Sequence, residues 1–118
     1  MIPKLSVIVP VWGVEKYIEK CARSLFESDL DDMEFIFVDD CTPDKSIELL
    51  EALMEQYPER KKQSSIVRHE VNKGLPQARK TGFEASRGEF VTYCDSDDWV
   101  APSMYSKMLA TAVGGGMI

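Results

Sequence analysis

Asp95, Asp97 and Asp98 crowd three carboxylates into four residues, between the apolar pieces Phe90–Cys94 and Trp99-Val100. Lys and Arg are absent from residues 90 to 105, so nothing local neutralises them. Like charges this close repel unless a cation intervenes. Alternate carboxylates such as Asp95 and Asp97, offering only oxygen, suit Mg²⁺ or Mn²⁺ bridging to phosphate groups. The same acids also fit a solvated turn that caps a helix after Pro102.

Other residues divide the same way between chemistry and architecture. Asp39-Asp40 follows an apolar run, where acids often cap the next helix. Trp12 can stack on a base or fill the edge of a sheet. Lys73 and Arg79 read singly as surface charges, yet they are the best-placed cations for a diphosphate. His69 is the only histidine and has no Ser or Cys constellation around it, so it reads as a structural residue at a solvated strand end. Cys21 sits on an apolar helix face and reads as core. G-x-G-x-x-G, G-x-x-x-x-G-K-[ST] and G-x-S-x-G are all missing, which removes dinucleotide, P-loop and nucleophile-elbow readings.

The elements that must position these residues follow from periodicity. Leu5–Val9 and Glu34–Val38 are nearly continuous apolar runs, as expected of strands buried on both faces. Ser65–His69 is a weaker strand nearer an edge, and Glu89–Cys94 is a fourth. Between them, Val14–Glu27 carries one apolar helix face. Thr42-Pro43-Asp44 reads as the start of a helix that Pro58 stops. Residues 59–64 read as a polar surface connection. Asn72-Lys73-Gly74 is a turn, Pro76–Ser86 a helix stopped by Arg87-Gly88, and Pro102 opens a last helix to about Ala112, before Gly114–Gly116. The alternation predicts an α/β fold, a mostly parallel sheet with helices on both faces and right-handed crossovers. Both acidic clusters then fall at strand carboxyl ends, where such sheets bind ligands.

Composition sets limits. The 118 residues are 44% hydrophobic and 29% charged, which describes one globular domain without internal repeats. A net charge of −6 with no basic stripe argues against a nucleic-acid polymer or an anionic membrane as partner, but allows a small anion with a bridging cation. Three cysteines without C-x-x-C spacing argue against a disulfide framework and a zinc ribbon. The apolar run at Leu5–Val11 is too short to span a membrane and lacks a signal-peptide cleavage site. The expected location is the cytoplasm, or the periphery of the membrane's inner face.

Four segments in order carry a resemblance. Val7–Ile18, with Pro10-Val11-Trp12-Gly13, resembles the opening of family 2 glycosyltransferases, where Pro-Val-Tyr-Asn is usual. Val38-Asp39-Asp40-Cys41-Thr42 is similar to their Val-Asp-Asp-Gly-Ser segment. Asn72-Lys73-Gly74, Ala78-Arg79 and Thr81-Gly82 resemble their Asn-x-Gly…Ala-Arg-Asn-x-Gly stretch, with Lys80 in place of the asparagine. Tyr93–Trp99 resembles their D-x-D site.

The resemblance implies a Rossmann-like GT-A fold that binds a nucleotide sugar, most often a UDP-sugar, and transfers the sugar with inversion to a glycan or lipid-linked acceptor. It implies that Pro10 and Trp12 border the nucleobase and that Asp39 accepts a hydrogen bond from it. Asp95 would approach the ribose or sugar, and Asp97 would ligate Mn²⁺ or Mg²⁺. Glu15, Lys73 and Arg79 would be further pocket members. The family's acceptor-binding half and its usual general base lie beyond the position of Asp98. Residues 1–118 therefore look like the sugar-donor half of a domain, truncated after the D-x-D motif, and no catalytic base is assigned in them. Two other readings compete. A receiver-like phosphoacceptor domain needs acids after the first strand, where this chain has Pro10-Val11-Trp12. A non-catalytic module that binds nucleotide or a second copy of itself is the alternative from another class.

Overall fold

The computed structural model describes residues 2–113. Strands β1 (Leu5–Val11), β2 (Met33–Asp39), β3 (Ser64–Arg68) and β4 (Phe90–Tyr93) form one parallel sheet in the order β3-β2-β1-β4. Every residue of β1 and β2 is buried, which is why their sequences run apolar without alternation. Helices α1 (Ile18–Phe26), α2 (Ser46–Met54), α3 (Pro58–Lys62), α4 (Leu75–Ala85) and α5 (Met104–Val113) complete the fold.

The pleat divides the core in two. Leu5, Val7, Val9 and Val11 join Phe35 and Phe37 on the face covered by α1 and α2, with Tyr105 and Leu109 of α5. Ile8, Ile36 and Val38 point the other way, onto Ala78 of α4. The strand order explains the division. The chain steps from β1 outward to β3, then returns across the sheet to β4, so right-handed crossovers must place α4 opposite α1 and α2. The direction of winding reverses between β1 and β4, and the crevice opens there.

Several boundaries differ from expectation. The first helix begins at Ile18, because the amides of Tyr17 and Ile18 both donate to the carbonyl of Val14 in a tight turn. The second begins at Ser46 and not at Thr42-Pro43, because Asp44 Oδ1 accepts from Thr42 Oγ1 and Ser46 N, and Asp39 Oδ1 accepts from Thr42 N, which holds residues 42–45 as a loop. Residues 59–62, expected to belong to a connection, are part of α3, which Pro58 opens because proline suits a first turn; the helix that Pro58 was expected to stop has already ended at Met54. The last helix begins at Met104, two residues after Pro102. Gly114–Gly116 lies outside the described residues. Arg87 does more than end a helix. Its backbone amide and its Nε donate to Glu34, 2.9 and 2.8 Å away, at the amino end of β2, where Ser6 Oγ also donates to Glu34 at 2.7 Å. Among the described residues no helix is long and apolar enough to cross a membrane.

Candidate functional site

The groove begins with how β1 spends its backbone groups. Ile8 O accepts from Cys94 N at 2.9 Å and Val11 O accepts from Asp40 N at 3.1 Å, so even-numbered residues address β4 and odd-numbered ones β2. β4 pairs with β1 only as far as Ile8↔Tyr93, whereas β2 follows it to Val11↔Asp39. The N–H that Pro10 lacks would have faced β4 beyond its last paired residue, so the proline costs no ladder bond. Beyond it the strand ends part.

Two adjoining cavities occupy the gap. The larger, of about 400 Å³, is lined by Pro10, Trp12, Asp40, Asn72, Gly74 and Leu75 among others. The smaller, of about 260 Å³, shares Pro10 and Leu75 with it and is closed by Val14, Asp95, Ser96 and Asp97. Pro10 and Leu75 thus join an apolar pocket to the acidic cluster. Trp12, 53% exposed, offers its indole to the apolar pocket and does not fill the sheet edge.

Asp95, Asp97 and Asp98 are exposed, and each places a carboxylate oxygen within 4.8 Å of the others. The turn that gathers them is closed by Asp98 N donating to Asp95 O at 3.0 Å. Three convergent oxygen ligands open to water fit a hard divalent cation that keeps part of its hydration shell. Asp98 belongs with the two acids expected from alternation, because the turn folds it back onto them. Arg79, on α4, approaches Asp95 Oδ1 at 3.3 Å and neutralises part of the charge. Beneath the turn, the buried thiols of Cys21 and Cys94 lie 3.8 and 3.6 Å from Asp95 O. A hydrogen bond to Cys94, with burial, pushes the Cys21 thiol well up, so it stays neutral.

The two aspartates after β2 have separate tasks. Asp39 is buried; its Oδ1 accepts from Thr42 N at 3.0 Å and its Oδ2 from Arg68 at 3.3 Å. Asp40, not Asp39, lines the larger cavity. Its carboxylate accepts from the amides of Lys73 and Gly74, at 2.8 and 2.9 Å, and meets His69 Nδ1 at 2.9 Å. Burial alone would raise its pKa, but the bonds from His69, Lys73 and Gly74 hold it below the usual carboxylate range. His69 is not at a solvated strand end: its side chain is only 6% exposed, because Asp40 and Thr81 enclose it.

Glu15 and Lys73 stand around the groove and not in its lining. Glu15 accepts from Lys45 N at 3.0 Å, while its own amide donates to Asp44 at 3.2 Å. Gly13 N donates to Thr42 Oγ1 and Val14 N to Ser46 Oγ, so the loops after β1 and β2 are stapled together. Lys73 gives its amide to Asp40 and leaves its side chain exposed at the cavity rim.

Known proteins are similar to this chain in sequence and fold. A model of glycosyl transferase family 2 matches residues 6–117. The uncharacterized glycosyltransferase EpsJ of Bacillus subtilis is 40% identical over 112 residues, covering 95% of this chain and 31% of that protein. The crystal structure of Staphylococcus aureus TarS 1–349 in complex with UDP-GlcNAc superimposes with a TM-score of 0.83 at 30% identity, over 94% of this chain and 31% of the other. The mannosyltransferase PcManGT from Pyrobaculum calidifontis, in complex with GDP-Man and Mn²⁺, gives 0.80 at 27% identity, over 96% and 32%. The chain spans about a third of the length of EpsJ and of the two crystallised chains, and 17% of TarS itself. The fold is the Rossmann-like GT-A fold of glycosyltransferases, and the chain belongs to glycosyl transferase family 2.

Proposed function

We propose that residues 1–118 form the part of an inverting glycosyltransferase that binds the nucleotide-sugar donor, a UDP-sugar, for transfer to a glycan or lipid-linked acceptor. The observation that carries this reading is the continuous groove, apolar beside Trp12 and acidic at Asp97, joined across Pro10 and Leu75. An apolar slot suits a nucleobase and an oxygen-ligand cluster suits a cation on its diphosphate. The relatives crystallised with UDP-GlcNAc and with GDP-Man and Mn²⁺ support the assignment.

Trp12 stacks on the base beside Pro10, and Asp39, which stands one residue outside the cavity lining, turns its Oδ2 from Arg68 to accept a hydrogen bond from the imide N–H. Asp95 approaches the ribose or sugar. Arg79 and Lys73 supply positive charge around the phosphates, while Glu15 acts at one remove by fixing the loop that carries Trp12. Asp97, with Asp95 and Asp98, would hold Mn²⁺ or Mg²⁺, which supplies neutralisation of the charge on the departing nucleoside diphosphate.

Calorimetric titration of UDP, with Mn²⁺ and then with EDTA, tests the reading. Binding is expected with the metal, and EDTA or Asp97→Ala should weaken it at least about tenfold while thermal unfolding stays unchanged. Equal affinity in EDTA overturns the metal assignment. No binding in either condition favours an association module instead, a reading supported by β4, which among the described residues is paired on one side only and carries exposed Tyr93.

A further inference from the structure

We infer that His69 is a positioning residue for the nucleotide groove, acting through Asp40 to hold the Asn72–Leu75 wall opposite Pro10 and Trp12. The inference rests on the donor-binding reading above and extends it to a residue outside the groove. One ring nitrogen of His69 lies 2.9 Å from Asp40 Oδ1 and the other 2.8 Å from Thr81 Oγ1. An ionised Asp40 can only accept, which places a proton on Nδ1, and the Thr81 hydroxyl, able to donate or to accept, completes the bond at Nε2. The same carboxylate fixes the amides of Lys73 and Gly74, and Asp40 O accepts from Asn72 Nδ2 at 3.4 Å. The imidazole therefore ties the end of β2 and the turn before α4 to a residue inside α4.

The turn is the groove's far wall, since Asn72, Gly74 and Leu75 line the larger cavity. Its amides are anchored on one carboxylate, and that carboxylate is held from behind by one histidine. Without the ring, Asp40 and the Thr81 hydroxyl each lose a buried partner and must turn to recover one. The wall then spends less time in its binding position, and affinity falls by the lost fraction for any ligand group that leans on it. A diphosphate at the acidic cluster meets this wall only at its Leu75 end and through the exposed Lys73 side chain, whereas a base lies along the stretch that Asp40 anchors.

The full chain is compared with His69→Gln, Thr81→Val and Thr81→Ser by two measurements. Amide hydrogen exchange without nucleotide reads the wall directly, and calorimetry gives affinities for UDP and for pyrophosphate, both with Mn²⁺. His69→Gln should speed exchange at Lys73 and Gly74 and weaken UDP, each about tenfold, while pyrophosphate changes by less than about twofold. Thr81→Val should move the same readouts less, and Thr81→Ser, which keeps the hydroxyl, should restore them. Unchanged exchange at both amides, parallel loss of UDP and pyrophosphate, or Thr81→Ser behaving as Thr81→Val each overturns the inference. If His69→Gln does not fold, the Thr81 pair decides. If the wild-type chain binds no UDP, the donor-binding reading falls, and the exchange rates alone decide whether His69 holds the wall.

Discussion

Cys41 stands in the left-handed region, with φ of 58°, where a side chain crowds its own backbone. It departs from the glycine usual at that position in the family. Its thiol reaches Glu70 O at 3.5 Å, a weak contact that does little to offset the strain. Left-handed geometry costs a non-glycine residue about 1–2 kcal/mol, and glycine gives some of this back as unfolded-state entropy. Cys41→Gly should therefore raise the free energy of unfolding by about 0.5–1 kcal/mol. Urea denaturation measures this, and a loss of stability would show that the sulfur contact outweighs the strain. The site's acids differ in how legible they were for a related reason. Asp95 and Asp97 declared themselves because their neighbours in space are also their neighbours in sequence. Asp40 did not, since its partners His69, Lys73 and Gly74 lie 29 to 34 residues away and come together only through the order of the strands.

At the scale of elements, α4 serves the groove through Leu75 and Ala78, which line it, and Arg79, which pairs with Asp95, and its seat on the sheet depends on Gly82. A Cβ at Gly82 would stand 2.3 Å from Ile8 Cγ2 and 3.2 Å from Val38 Cγ2, both branched side chains locked in the sheet. Alanine at this helix position would gain about 1 kcal/mol of intrinsic propensity. The clash dominates, because α4 must lift from β1 and β2 to admit the methyl. Gly82→Ala should cost about 2–3 kcal/mol in chemical denaturation and weaken UDP binding, since Leu75 and Arg79 move with the helix. A neutral result would mean that α4 can shift freely, contrary to the packing. The strand and helix alternation was plain in the sequence because buried parallel strands read as unbroken apolar runs. Element α3 was hidden because Pro-Glu-Arg-Lys-Lys looks like surface. In fact Arg60 donates to the carbonyls of Phe26, Ser28, Leu30 and Asp31, holding the end of α1 and the loop after it. A cationic side chain recruited by backbone oxygens leaves no periodicity to find.

Over the whole molecule, buried or half-buried carboxylates fasten the parts that apolar packing does not reach. Glu34 ties β1, β2 and the Arg87 turn at the amino end of the sheet, Asp40 holds the groove wall, and Asp44 staples the loops after β1 and β2. Burial opposes ionisation in all three, yet their hydrogen bonds prevail and each carboxyl is held below its ordinary range. For Asp44 the bonds from the Ser46 and Thr42 hydroxyls and from the amides of Ser46 and Glu15 bring the pKa from 3.8 down to about 2. Between those values the unfolded chain takes up a proton that the folded chain refuses, so stability falls as pH falls. The contribution is complete above the unfolded value and is lost on descending through the folded one. Water still reaches Asp44, and its share after screening is about 1–2 kcal/mol. Asp44→Asn mimics the protonated state. Its free energy of unfolding should lie below that of the wild type by this amount at about pH 7, and the two should converge by about pH 2 as the native carboxyl itself protonates. Denaturation series across that range would show the gap closing. A gap that stays constant with pH would mean that the staple works through the shape of the side chain and not through its charge.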